Sequence, residues 1–221
     1  MVESKAWNWE IVKEDYANKW RNPSIESYYL VNRWKNQEKK DFLDLGCGLG
    51  RHTILFAINN FNVKAFDLSE EAIKQTKEWA ESLNLNVDYK VGDMLKLPYE
   101  NESVDCILCR NVISHTDTEG MKKILSEINR VLRKDGECYL TLGSNESWGF
   151  KQDWPVVDAN TKIRIEDGPE NGIPHFYADY DLIKELFKEN KIELIEQIED
   201  FYENTGEKFS SCHYHLLIKK V

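Results

Sequence analysis

The stretch DFLDLGCGLGR, residues 41–51, decides the fold of this 221-residue chain. Its first five residues form an apolar run of strand composition, glycines follow at positions 46, 48 and 50, and an apolar-periodic stretch then covers 51–60. Glycine suits a sharp turn from strand to helix, because it tolerates positive φ and lets the backbone approach a ligand closely. The stretch therefore predicts a first strand, a ligand-binding turn and a first helix.

Outward from this turn, strand-like runs alternate with helical patterns. Strands are predicted at 63–68, 86–93, 104–112 and 136–144, and helices at 69–83, 117–134 and 179–190. Two last strand patterns, 191–202 and 210–220, follow each other across the short turn ENTGEK with no helix between them. The predicted fold class is α/β: a doubly wound, mostly parallel seven-stranded sheet that ends in an antiparallel hairpin.

We interpret residues 1–221 as a single domain with two additions to the alternating core. Residues 1–40 are expected to form an N-terminal helical lid, and residues 145–175, rich in proline and glycine, an irregular insertion that caps the substrate. Six of the seven tryptophans lie in these two segments, which predicts an aromatic lid that excludes water from the site. Trp34 is instead expected to anchor the N-terminal helix by packing.

Composition narrows the classes of function. The formal charge of −10 argues against nucleic-acid binding and against a polybasic membrane surface. There is no apolar run of membrane-spanning length and no secretory signal pattern, and the five cysteines are scattered, so we expect a cytoplasmic protein. Cys106 and Cys109 resemble a metal-binding pair, but residues i and i+3 of a strand point to opposite faces of the sheet.

Acidic residues follow the second and third predicted strands. Asp67 lies 21 residues after Gly46, where a carboxylate can accept hydrogen bonds from both ribose hydroxyls. Asp93 is placed to receive an adenine amine, and Met94 to cover an adenine face. A dinucleotide-binding turn would carry its last glycine at position 51, which is Arg51 here. These features favour an adenosine-containing cofactor without a diphosphate.

At these motifs the chain resembles the class I S-adenosylmethionine-dependent methyltransferases, and among them the small-molecule (type 11) branch of the ubiquinone- and menaquinone-biosynthesis type. The resemblance rests on DFLDLGCGLGR, VKAFDLS, VGDMLKLPYENESVDCILCRNV and EINRVLRKDGECYLTL, in this order. It implies a Rossmann-like fold and S-adenosyl-L-methionine as cofactor. The glycines would pass along its amino-acid part, Asp67 would hold the ribose, and Arg110 would line the methyl-donor edge. The cofactor-binding residues assigned on these grounds are Asp44, Gly46, Cys47, Gly48, Gly50, Asp67, Leu68, Asp93, Met94 and Arg110.

The predicted acceptor side is made of histidines and tryptophans. His115 follows the fourth strand and His175 ends the insertion, so these two are the candidate catalytic residues. His213 and His215 share one face of a strand, and a His-x-His pair binds metal only with further ligands, for which His175 is the candidate; no metal is predicted. The predicted substrate-binding residues are Trp20, Trp148, Trp154, His213 and His215.

The predicted function is methyl transfer to oxygen, nitrogen or sulfur of a small molecule, by in-line displacement with desolvation under the aromatic lid. Methylation of nucleic acid or protein is disfavoured, because CRNV stands where amino-group methylases carry a DPPY-like tetrapeptide and no Pro-Cys nucleophile is present. A non-catalytic S-adenosylmethionine-binding module and a metal- or metalloid-linked methylase using His213, His215 and Cys212 remain alternatives. The sequence leaves the acceptor and the oligomeric state open.

Overall fold

The computed structural model describes residue 2 and residues 4–12, 20–204 and 207–221. Its helices are a short 3-10 turn at Trp9–Ile11, α1 Ile25–Asn36, α2 Arg51–Ile58, α3 Glu70–Ser82, α4 Thr118–Val131, α5 Trp148–Lys151 and α6 Tyr180–Leu186. Its strands are β1 Asp41–Leu45, β2 Asn62–Asp67, β3 Val87–Val91, β4 Val104–Cys109, β5 Leu132–Ser144, β6 Val156–Asp158, β7 Thr161–Ile163, β8 Pro174–Ala178, β9 Asn190–Asn204 and β10 Glu207–Lys220. No helix among these residues is long and apolar enough to cross a bilayer.

The long strands form one twisted sheet in the order β3-β2-β1-β4-β5-β10-β9. The pairs from β3 to β5 are parallel, whereas β10 runs antiparallel to both β5 and β9. The predicted doubly wound sheet with a terminal antiparallel hairpin is confirmed. Part of the predicted ENTGEK turn, residues 205 and 206, lies outside the described residues, as do residues 13–19 of the predicted lid.

Among the described residues, the short strands β6, β7 and β8 add to the seven predicted strands, because residues 145–175 contain regular structure. They form α5, the small β6–β7 hairpin and the start of β8, which pairs with Gly143 and Ser144 of β5. Strands of three residues are too short to show alternation in the sequence. Helix α4 also ends earlier than predicted: Leu132 is already extended (φ −65°, ψ 135°), so β5 begins there and not at Gly136.

Apolar residues cover both faces of the sheet. Helices α4 and α6 pack on one face, with Met121, Ile128 and Phe187 fully or almost fully buried. Helices α1 and α2 pack on the other face. Cys106 belongs to the α1–α2 side and Cys109 to the α4–α6 side, as the alternation of strand side chains predicts. All five cysteines are free and buried.

Helix α1 is fixed to the sheet by one buried carboxylate, that of Glu137 on β5. Its oxygens accept hydrogen bonds from Arg33 (2.8 Å from both Nε and Nη2), from Nε1 of Trp34 (2.9 Å) and from Gln37 (3.2 Å). Burial alone would raise the pKa of Glu137, but these hydrogen bonds outweigh burial and lower it. Trp34 is itself fully buried, which confirms its predicted anchoring role.

We expect Glu137→Gln to lower the free energy of unfolding by about 1–3 kcal/mol at neutral pH, because it removes the charge that three donors share. The folded-state pKa of Glu137 lies below its unfolded value, so its stabilisation is present above the unfolded pKa and is lost as the pH falls through the folded pKa. Urea unfolding of both proteins at neutral pH and at roughly pH 3 measures this. A difference between the two proteins that does not shrink at acid pH would contradict the assignment.

Candidate functional site

A cavity of about 700 Å³ lies at the carboxyl ends of the parallel strands. Its floor is formed by the turns that follow β1, β2, β3 and β4, and its roof by the N-terminal segment and the segment between α5 and β8. The carboxyl edge of such a sheet, next to the point where the strand order reverses, is the usual ligand-binding position in open α/β folds.

The glycine turn after β1 forms one wall of this cavity. Gly46, Gly48 and Gly50 all have positive φ (76°, 53° and 86°), a conformation that a side chain disfavours. A Cβ atom on Gly46 would lie 2.5 Å from Val112, and one on Gly48 would lie 3.1 Å from Trp9. The turn therefore exposes its backbone to the cavity, in a space that a side chain at these positions would occupy.

Asp67, at the end of β2, ties the glycine turn to the next helix. One carboxylate oxygen accepts the backbone N–H of Gly48 (2.8 Å) and the other accepts that of Ser69 (2.9 Å). Burial raises the pKa of Asp67, and the backbone hydrogen bonds oppose that rise. Each oxygen keeps a second lone pair, so the side chain can still accept hydrogen bonds from a ligand in the cavity. Asp93 and Met94 also line this end of the cavity.

Two residues predicted to bind cofactor, Asp44 and Gly50, are not among the residues that line the cavity, and their contact with a cofactor stays a prediction. Asp44 is 2% exposed and its carboxylate accepts a hydrogen bond from the Thr53 hydroxyl (2.7 Å), while burial raises its pKa to about 6. Gly50 faces Thr76, which a Cβ atom would approach to 2.7 Å. Asp44 is an inward-facing strand residue and Gly50 caps α2, so both shape the turn rather than line the cavity.

The turn after β4 contributes Arg110, which lines the cavity beside the carboxylate of Glu26. Arg110 Nε lies 3.8 Å from a carboxylate oxygen of Glu26 on α1, whose other oxygen lies 3.6 Å from Nδ1 of His215. The same nitrogen of His215 shares a 2.6 Å hydrogen bond with the Tyr139 hydroxyl. His215 also lines the cavity, and its Nδ1 is already engaged by the Tyr139 hydroxyl.

The two predicted catalytic histidines lie together on the opposite side of the cavity. The rings of His115 and His175 are in edge contact with centroids 5.0 Å apart, and Nε2 of His115 lies 3.8 Å from a carboxylate oxygen of Glu170. His213 lines the same cavity. Burial is the largest influence on the pKa values of these three histidines: it lowers the pKa of His115, lowers that of His175 strongly, and lowers that of His213 to about 4. At neutral pH these rings are neutral.

The structure does not support a metal site at His213, His215 and Cys212. Cys212 lies between the two histidines along β10, so it points to the other face, where the Gln197 amide contacts its sulfur at 3.4 Å. Within the described part of the chain, the one group of three potential ligands is His115, Glu170 and His175. The His-x-His spacing on one strand does not indicate which other chain segment would supply the remaining ligands.

Tryptophans form the roof, as the predicted lid requires. Trp7 is in edge contact with Trp9 and Trp20, at centroid distances of 4.4 and 5.0 Å, and Trp148 contacts Trp154 at 5.8 Å. All five line the cavity, as does Arg51, whose guanidinium lies 4.9 Å from the centroid of the Trp20 ring. The predicted substrate-binding residues Trp20, Trp148, Trp154, His213 and His215 thus all reach the cavity, and contact with a substrate stays a prediction.

The insertion also brings charged residues to the cavity that no sequence motif predicted. Arg164 binds Glu170 through Nη1, and its Nε lies 3.4 Å from Glu166. Glu166 in turn accepts a 2.6 Å hydrogen bond from Nε1 of Trp154. Charged residues are common in irregular segments, and only the fold of the insertion shows that these three turn inward.

Comparison with known proteins identifies the core of the chain. The family model described as a methyltransferase domain matches residues 42–136. The probable S-adenosyl-L-methionine-dependent methyltransferase TehB of Haemophilus influenzae is 26% identical over 72% of this chain and 62% of its own length. The ubiquinone biosynthesis O-methyltransferase of Coxiella burnetii is 32% identical over 46% of this chain and 47% of its own length. The chain thus covers about half to three-fifths of these curated relatives.

The fold agrees with these relationships. The crystal structure of an S-adenosylmethionine-dependent methyltransferase from Methanosarcina mazei superposes with a TM-score of 0.69 at 21% identity, covering 83% of this chain and 93% of that one. The matched residues 42–136 include the glycine turn after β1 and Asp67 at the end of β2. Residues 42–136 therefore match the methyltransferase domain family, and the chain is similar to S-adenosylmethionine-dependent methyltransferases in sequence and in fold.

Proposed function

We propose that this protein transfers the methyl group of S-adenosylmethionine to a small-molecule acceptor. The observation that carries this proposal is the single cavity of about 700 Å³ that joins the glycine turn and Asp67 to the histidines and the tryptophan roof. Its volume lies in the range of small-molecule and cofactor sites. The net charge of −10 disfavours a nucleic-acid substrate.

The residues present fit the cofactor. The glycine turn leaves room for close backbone contact, the second lone pairs of Asp67 suit ribose hydroxyls, and Asp93 with Met94 suits an adenine ring. S-adenosylmethionine supplies a methyl group on a positively charged sulfur, from which a nucleophile takes it in line with the departing sulfur. Arg51 stays charged at neutral pH, since burial lowers its pKa only to about 10, and it lies beside the turn as a partner for the cofactor carboxylate.

The other half of the cavity is proposed to hold the acceptor. Here the two predicted catalytic residues, His115 and His175, present neutral imidazoles next to Glu170. The tryptophans of the N-terminal lid (1–40) and of the capping insertion (145–175) exclude water and hold an apolar or flat acceptor against the methyl group. Alignment and desolvation of this kind lower a barrier by about 7–11 kcal/mol. The Coxiella relative, an O-methyltransferase by name, favours oxygen as the methylated atom.

Titration calorimetry with S-adenosylhomocysteine and S-adenosylmethionine tests the first half of this proposal. We expect saturable binding at one site per chain, and absence of binding of both compounds would refute the assignment. The acceptor is then sought by measuring S-adenosylhomocysteine release with phenols, catechols, thiols and amines. Release that depends on one acceptor class supports catalysis, whereas binding without turnover across all classes would favour a non-catalytic cofactor-binding module.

A further inference from the structure

The cluster of His115, Glu170 and His175 has the composition of a metal site. One potential ligand atom from each residue lies within 4.8 Å of the other two. Nε2 of His175 is buried and has no hydrogen-bond partner among the described residues, so it is available for a ligand. Two imidazoles and one carboxylate are the ligand set of many catalytic metal sites, which keep a further position open for water or substrate.

Arg164 and His115 orient the Glu170 carboxylate so that one of its oxygens can bind a cation. Arg164 holds one carboxylate oxygen, and the other faces Nε2 of His115 at 3.8 Å. Carboxylate ligands of metal ions are themselves oriented by such neighbouring hydrogen bonds. Arg164 is paired with both Glu166 and Glu170, so these three side chains carry a net charge of −1, which favours a cation over an anion.

The two histidines suit the same role. Their rings are in edge contact with centroids 5.0 Å apart, and a nitrogen of each lies within 4.8 Å of a Glu170 carboxylate oxygen. In a tetrahedral zinc site, ligand atoms lie roughly 3.3 Å apart, so the three residues reach coordination distance with side-chain shifts of about 1 Å. The cluster lines the same cavity as the glycine turn and Asp67.

We propose that His115, Glu170 and His175 bind a divalent transition-metal ion, Zn²⁺ or a neighbour such as Co²⁺, with an open position that receives a hydroxyl oxygen of the methyl acceptor. This inference rests on the proposed methyl-transfer function and names its acceptor class, an alcohol or phenol that coordinates metal. A bound ion would lower the pKa of the hydroxyl, so that the acceptor would give its proton to bulk water as it enters the cavity. The oxygen lone pair then forms the bond to the methyl carbon while the carbon–sulfur electron pair returns to sulfur. With metal bound, the imidazoles act as ligands and not as bases.

The test uses residues 1–221 without a polyhistidine tag, stripped of metal and titrated with Co²⁺, whose visible absorption reports nitrogen and oxygen ligation. We expect one Co²⁺ per chain, displaced by Zn²⁺, and at least about a 100-fold loss of affinity in His115→Ala, His175→Ala and Glu170→Gln. His213→Ala is the matched control, since it removes a histidine from the same cavity outside the cluster and should retain Co²⁺ binding.

Binding of S-adenosylhomocysteine is measured on the same samples, both to confirm that each variant is folded and to separate the two proposals. Normal binding of this nucleoside by a wild-type chain that takes up no Co²⁺, or unchanged Co²⁺ affinity in the three cluster variants, overturns the metal site and leaves the methyl-transfer proposal standing. If the wild-type chain binds Co²⁺ but not the nucleoside, and the cluster variants lose Co²⁺ binding, the metal site stands and the methyl-transfer proposal is overturned. Glu170→Gln keeps the shape of the side chain, so it remains informative if either alanine variant fails to fold.

Discussion

We expect Asp67→Ala to abolish measurable binding of S-adenosylhomocysteine. The substitution removes the carboxylate that accepts the backbone N–H groups of Gly48 and Ser69, and it also removes the proposed acceptor for both ribose hydroxyls. Hydrogen bonds to charged groups contribute about 1.5–3 kcal/mol each, so the loss of two in the complex weakens binding by roughly two to four orders of magnitude. Titration calorimetry of the variant and the wild-type chain measures the difference.

Two further variants make the result specific. Asp88→Ala removes an exposed carboxylate from β3, outside the cavity, and should leave the affinity unchanged. Asp67→Asn retains one acceptor oxygen and should fall between the alanine variant and the wild-type chain. Near-normal affinity in Asp67→Ala, with the chain folded by circular dichroism, would mean that the adenosine does not bind at the end of β2.

The parts of the site that the sequence predicted are those fixed by local chain geometry. The turn after β1 needs glycines whatever else the chain does, and the acids at the ends of β2 and β3 follow from where those strands stop. These features depend on neighbours in the chain, and so Asp67 and Asp93 could be assigned to one sheet edge without a structure. Ser69 was likewise recognisable as the start of α3, and its hydroxyl accepts the Ala72 N–H.

The acceptor side could not be predicted in the same way. Glu170 and Arg164 lie in a segment of short strands and turns, and they reach the cavity only because β8 pairs with the end of β5. The contact between His115 and His175 is likewise made by this pairing, across 60 residues of sequence. Asp44 is a different case: it stands next to the glycine turn in sequence, but the alternation of β1 turns its side chain into the protein, towards Thr53.

Gly46→Ala tests the shape of the cavity floor through stability. At φ 76° an L-residue is strained by about 1–2 kcal/mol, and the new Cβ atom would lie 2.5 and 2.6 Å from the two methyl groups of Val112. Overpacking of this kind costs about 1–3 kcal/mol more, so we expect the free energy of unfolding to fall by about 2–5 kcal/mol. Because Val112 lines the cavity, the displaced side chain should also weaken binding of S-adenosylhomocysteine.

Two controls separate backbone strain from the steric clash. Gly168→Ala places a side chain at another positive φ, 145°, with no atom within 4 Å of the new Cβ, so it reports conformational strain without a clash. The double variant Gly46→Ala, Val112→Ala removes the two closest contacts, at 2.5 and 2.6 Å, leaves the Cβ of residue 112 at 2.9 Å, and keeps the strain. Urea unfolding of the wild-type chain, Gly46→Ala, Val112→Ala and the double variant should therefore give a coupling energy of about 1–3 kcal/mol in favour of the double variant. Strict additivity would show that Gly46 and Val112 do not meet, and that the turn does not approach the end of β4 as closely as cofactor binding at this edge requires.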